Sequence, residues 1–245
     1  YMGILTAIAP LGLGFRSKRD MPSALSKKHR GEIFYPQFYT NILFAIILGY
    51  VFSAFLSVIQ SYFFDSSINI NTSLIITYSV VYTIYSQISF ILKFSERIIS
   101  YNLLGFFNPM FFLLGVIAFY YLEGSISIKT LVSAQIFSCL LNITIFSYKC
   151  YRIVGFRIIT YTKENLRWDL KVGLPLLLVV IVELLITSSD RFVISIFMAS
   201  SEVAYYTVAY TVASLILISP KLFSISLEPR LMLLVDQKAY ARITE

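Results

Sequence analysis

Three charged side chains stand inside one long apolar run. The run from Leu174 to Met198 reads LPLLLVVIVELLITSSDRFVISIFM, and its charges are Glu183, Asp190 and Arg191. Hydrocarbon penalises Asp, Glu and Arg, so such residues in an apolar run usually face a protein interior or a water-filled path. Glu183 and Asp190 are seven residues apart, about 20° from alignment on a helix of 3.6 residues per turn, and share a face with Thr187. With the hydrocarbon core starting near Val172, Glu183 lies roughly 16 Å inside it, close to the midplane of a ~30 Å core. Asp190 and Arg191 lie nearer the outer interface. Glu183 or Asp190 can carry a coupling proton or sodium ion, or can be a buried hydrogen-bonded carboxyl. Arg191 can lend positive charge to a cavity, or can pair with Asp190 as an interfacial cap or interhelical link.

No enzyme constellation accompanies them. The single histidine, His29, sits in a basic stretch with Lys27, Lys28 and Arg30. Gly12-Leu13-Gly14 follows an apolar helix rather than a strand, so it fails as a phosphate loop. HExxH, GxSxG and DxD patterns are missing from the sequence. Cys139 and Cys150 fall on one expected helix, too far apart to bridge and without metal-site spacing. Catalytic residues, cofactor and metal are therefore not expected.

The elements that must position these groups are membrane helices. Hydrophobic residues make up 58% and charged residues 13%, where a soluble domain has roughly 25% charged. Mean hydropathy is +0.77. The net charge of +7 sits in short loops between apolar runs, which argues against nucleic acid as a partner. The chain opens apolar at Tyr1 and ends at Glu245 in a polar segment, and reads as a fragment of a longer protein. Met2–Phe15 looks like the end of a helix. Six runs of spanning length follow, at about Gln37–Gln60, Thr72–Leu92, Ile99–Tyr121, Ser127–Tyr148, Asp169–Met198 and Val203–Leu227. Every second loop is basic. The positive-inside rule then assigns loops 16–33, 93–97 and 149–171, with the C-terminal tail, to the cytoplasm.

Other features fit a mobile bundle. Pro109, Pro175 and Pro220 sit in or beside apolar runs, where proline kinks a helix or simply shapes its packing. Asn41, Gln87, Asn102, Asn108, Gln135 and Asn142 are expected to hydrogen-bond between helices. Tyr78, Tyr82 and Tyr85 form a one-face stripe that either packs or lines a sugar-binding wall.

Two stretches carry a family resemblance. GLGFRSKRDMPSALSKKHRGEIFYPQF has a glycine-rich helix end, then an arginine, a proline and an acidic-aromatic return (Gly12, Gly14, Arg19, Pro22, Glu32). SSDRFVISIFMASSEVAYYTVAYTVASL has an Asp-Arg pair, an apolar run, a tight turn and a helix opening on valine, tyrosine and alanine (Asp190, Arg191, Glu202, Val203, Tyr206, Ala209, Tyr210). Both resemble Wzx-type polysaccharide (O-antigen) flippases, in the superfamily that also holds multidrug exporters and lipid II flippases. Pro175 matches a helix opening there, whereas Met198-Ala199-Ser200 departs from the common Leu-Gly turn.

The resemblance implies an all-α, polytopic transmembrane bundle with the two-lobed, alternating-access transporter fold. Residues 1–148 would be a truncated N-terminal lobe, 149–168 a basic cytoplasmic linker and 169–245 the start of the C-terminal lobe. It implies residence in the cell (inner or plasma) membrane and a substrate, an undecaprenyl-pyrophosphate-linked glycan, flipped to the outer leaflet. A polysaccharide polymerase and a chain-length regulator would be further partners. Arg191 would lend the cavity charge, because arginine's planar fork suits pyrophosphate. Arg16, Lys18 and Arg19 would capture substrate at the cytoplasmic mouth. A cation-coupled multidrug or metabolite antiporter shares this topology. A polysaccharide polymerase or membrane scaffold is the outside alternative, disfavoured by short outer loops.

Overall fold

The computed structural model describes residues 21, 24, 26–63, 71–95, 97–155, 163–198, 200–217, 227 and 231. Six α-helices follow in order: α1 (Lys27–Phe63), α2 (Thr72–Phe94), α3 (Ile98–Glu123), α4 (Ile128–Val154), α5 (Lys163–Phe197) and α6 (Ser200–Ala213). A 3-10 turn, Ser214–Leu217, extends α6. Among the described residues there is no β-strand, so the chain is an all-α bundle. Among the described residues four helices, α1 to α4, are long and apolar enough to cross a membrane.

Local sequence explains where the helices start and stop. The Asn71 side chain accepts the Ser73 backbone N–H at 3.1 Å and opens α2. Ser127 and Thr130 form a reciprocal capping box at the start of α4. At the end of α3, Gly124 takes φ +70, a left-handed turn that glycine adopts without a Cβ clash.

α2 and α4 form the centre, flanked by α1 and α3. Gly115 of α3 lets that helix lie directly on α4: a Cβ there would stand 3.2 Å from the Ala134 Cα. At one end of the unit Phe34, Leu92, Phe94, Leu104 and Phe146 bury an apolar cluster, and at the other Ile75, Tyr78, Val132 and Ile136 form a smaller one. The middle is polar, with Asn41, Thr83, Ser138 and Asn142 fully buried. The outer faces are apolar: Leu43, Ile47 and Val51 on α1 and Leu113, Leu114 and Ile117 on α3 are exposed. Water-soluble proteins place these residue types the other way round. In hydrocarbon this placement costs nothing, and helices satisfy their backbone internally.

The helices outrun the apolar stretches expected from sequence. α1 starts at Lys27 rather than near Gln37, because Ser26 Oγ accepts the His29 N–H at 3.1 Å and caps it. Loop 16–33 is thus already helical over Lys27–Ile33. α4 continues to Val154 and α5 begins at Lys163, so both ends of the expected 149–168 linker are helical. Hydropathy marks where a helix is apolar, and Lys and Arg are good helix formers beyond that limit.

Alternation of the helices still gathers the basic residues at one end. Lys27 Nζ of α1 lies 4.9 Å from the Tyr151 ring of α4. Lys149 of α4 donates to Ser100 Oγ of α3 at 3.2 Å. Tyr35 Oη of α1 donates to the Gly155 carbonyl just beyond α4, tying these two helices at the same basic end.

α5 and α6 pack on each other, and α5 meets the four-helix unit mainly along α1.

Candidate functional site

α5 is continuous through Glu183, Asp190 and Arg191, so the shared face expected for the two carboxylates exists. A tight turn at Met198, whose N–H bonds the Ile194 carbonyl at 2.8 Å, reverses the chain into α6. Glu202 in the first turn of α6 complements that helix's dipole. The reversal brings Tyr206 and Tyr210, one helical turn apart, against Asp190 and Arg191.

Each charged group meets a different tyrosine. Tyr206 Oη donates to Asp190 Oδ2 at 2.6 Å. Ser189 Oγ lies 3.3 Å from the other carboxylate oxygen. The Arg191 guanidinium carbon stands 5.0 Å from the centre of the Tyr210 ring, within cation–π range. The two tyrosine rings stack on each other, with centroids 6.2 Å apart. Among the described residues Arg191 forms no ion pair with a carboxylate, and its buried Nε has no hydrogen-bond partner. Asp190 and Arg191 are thus each engaged by a tyrosine of α6. Asp190 and Glu183 are exposed in this chain, while Arg191 is half-buried.

Other expected site residues fall elsewhere. Arg16, Lys18, Arg19 and Pro220 lie outside the described residues. α3 and α5 run through Pro109 and Pro175 without a break in helical structure, and both prolines are exposed. α1 likewise runs through Pro36, a proline the sequence reading had not singled out. Tyr78, Tyr82 and Tyr85 keep their stripe, with successive centroids 5.8 Å apart. Tyr78 is buried, and the other two are partly buried against apolar clusters, so the stripe is packing rather than a cavity wall.

Among the described residues the expected interhelical hydrogen bonds form at one of the amides. Ser138 Oγ of α4 bonds the Asn108 side chain of α3 at 2.8 Å. Asn142 Nδ2 instead bonds its own helix at the Ser138 carbonyl, and Gln135 reaches only Cys139 of its own helix, at 3.7 Å. Among the described residues Asn41 and Gln87 are buried without a hydrogen-bond partner, and Asn102 is exposed.

In the sequence Tyr206 and Tyr210 stand out only as part of the motif. The available signal was their i, i+4 spacing just past a tight turn, which makes them face the last turns of α5.

Among the described residues no three His, Cys, Asp or Glu side chains come together as a metal site requires, and Cys139 and Cys150 are buried free thiols. Comparison of the chain with protein-family models, curated proteins and solved structures finds no match.

Proposed function

We propose that this chain is part of a membrane flippase that moves a polyprenyl-pyrophosphate-linked oligosaccharide from the cytoplasmic to the outer leaflet of the cell membrane. In this reading the chain belongs to a two-lobed, alternating-access transporter, with α1–α4 in one lobe and α5–α6 opening the other. The basic end of the bundle faces the cytoplasm, as the positive-inside rule requires.

The observation that carries the reading is Arg191, without a carboxylate partner among the described residues, next to an Asp190 already occupied by Tyr206. Placing an arginine at the centre of an apolar helix costs roughly 2.5–3.5 kcal/mol, less toward the interface. Stacking on a tyrosine returns about 0.5–2 kcal/mol. The remainder is offset when an anion binds. A pyrophosphate headgroup is such an anion, and it needs a cationic, hydrated route while its lipid tail stays in the bilayer. Glu183, on the same helix and exposed in this chain, is the group assigned to ion coupling.

The test is complementation of surface-polysaccharide export in a flippase-null host carrying the full-length protein. Arg191→Ala is expected to abolish export while the protein still reaches the membrane. Full export by that variant overturns the reading. Export that stays intact, together with gradient-driven efflux of small cationic dyes, would instead favour the antiporter reading.

A further inference from the structure

Asp190 and Arg191 are neighbours of opposite charge, exposed and half-buried respectively, and could form an ion pair. They do not form one. Asp190 is taken by the Tyr206 hydroxyl at 2.6 Å, and Arg191 lies over the Tyr210 ring at 5.0 Å. The two rings stack one turn apart on α6, so a single rigid face holds both charges in separate places. Each contact uses a different part of tyrosine chemistry. The hydroxyl donates to the carboxylate, whereas the ring face receives the cation. The buried Nε of the guanidinium has no hydrogen-bond partner among the described residues.

We propose that Tyr206 and Tyr210 are positioning residues that sort these charges, so that Arg191 stays open as a docking point for the diphosphate group of a lipid-linked substrate. This rests on the flippase reading above. Tyr206 acts by occupying Asp190, and Tyr210 by fixing where the guanidinium stands. α6, short as it is, thereby sets the anion affinity of α5.

The distinctive consequence is a rescue. Tyr206→Phe keeps the ring but releases Asp190, which then closes on Arg191. Removing the carboxylate as well makes the tyrosine hydroxyl unnecessary. The probe is farnesyl pyrophosphate, a short polyprenyl diphosphate, titrated into the full-length protein in nanodiscs, with inorganic pyrophosphate alongside to separate headgroup from tail binding. Tyr206→Phe is expected to weaken farnesyl pyrophosphate binding by about tenfold, the loss equivalent to ~1.4 kcal/mol of a charge-assisted contact. Tyr206→Phe combined with Asp190→Asn is expected to restore it. Tyr210→Phe, which keeps the ring face, is expected to bind normally, and Tyr210→Leu to bind weakly.

Arg191→Ala separates the two layers of the proposal. Weak binding by Arg191→Ala with normal binding by Tyr206→Phe overturns the sorting role and leaves the anion reading standing. Unchanged binding by Arg191→Ala overturns both. Weak binding by Tyr206→Phe that Asp190→Asn fails to restore assigns Tyr206 to folding and overturns the sorting role.

Discussion

In both α1–α4 and α5–α6 serine and threonine hydroxyls mostly turn back on their own helices, as Thr207 and Thr211 do on α6; the two regions differ in what crosses between helices. Ser79, Thr83 and Ser86 of α2 bond carbonyls three or four residues earlier on α2. Asn142 does the same on α4. By contrast, Tyr206 and Tyr210 of α6 engage Asp190 and Arg191 of α5. The four-helix unit is joined by shape, with buried Phe94, Leu104 and Phe146 at one end and the Gly115–Ala134 approach between α3 and α4, and by neutral cross-helix bonds such as Ser53–Thr72 and Ser138–Asn108. Between α5 and α6 the charged groups Asp190 and Arg191 meet aromatic partners. Shape keeps a helical unit rigid. Charge contacts that an incoming anion can replace suit a site that changes state.

The sharpest way to break this contrast is to damage shape. Phe146→Ala empties a buried position packed on Phe107 of α3. It is expected to cost about 3–5 kcal/mol, read as a lower midpoint of denaturant unfolding in detergent micelles. Gly115→Leu should cost about 1–3 kcal/mol or more, because the side chain meets Ala134 backbone. Normal stability in both variants would mean that shape does not hold the unit.

A pair of buried serines sharpens the comparison at smaller scale. Ser138 bonds across to Asn108, while Ser79 bonds only to its own helix. Ser138→Ala should therefore cost about 0.6–1.7 kcal/mol, and Ser79→Ala about 0.5 kcal/mol or less, since the carbonyl it leaves is already bonded within α2. Equal losses in the two variants would erase the distinction between own-helix and cross-helix bonding.

How much of this could be read from the chain depends on the kind of signal. Apolar runs and alternating basic loops mark α1 to α4, because hydrocarbon burial acts on composition averaged over a whole helix. Helix ends escape that average. Ser26 caps α1 some ten residues before the apolar stretch, and a cap is a single-atom contact. Asp190 and Arg191 stand out because charge in an apolar run is rare. Their partners do not, since Tyr206 and Tyr210 belong to a chain with 18 tyrosines and reveal themselves only once the turn at Met198 is fixed. The amides were expected to link helices. Asn41 and Gln87 instead lie buried without partners among the described residues, because periodicity reports which way a side chain points and not what it meets.

Those amides give the next prediction. A buried amide without a partner carries its desolvation cost unrelieved, so an apolar side chain of the same shape should be better tolerated. Asn41→Leu is expected to raise stability by about 1 kcal/mol, measured by the same unfolding midpoint. A fall in stability would show that Asn41 has a partner in the bilayer-embedded protein, such as an ordered water shared with a neighbouring helix.

The smallest expected effect lies in the α5–α6 pair. Tyr206→Phe removes one hydrogen bond to an exposed carboxylate and leaves the ring stack with Tyr210 in place. The unfolding midpoint is expected to stay where it is, because exposed polar contacts exchange readily for solvent. The comparison needs this null effect on stability. If α6 sorts charge for binding, its tyrosine hydroxyl is dispensable to the fold yet required for diphosphate affinity. A midpoint lowered as far as Phe146→Ala lowers it would make the α5–α6 contact another packing joint, and the difference between the two regions would vanish.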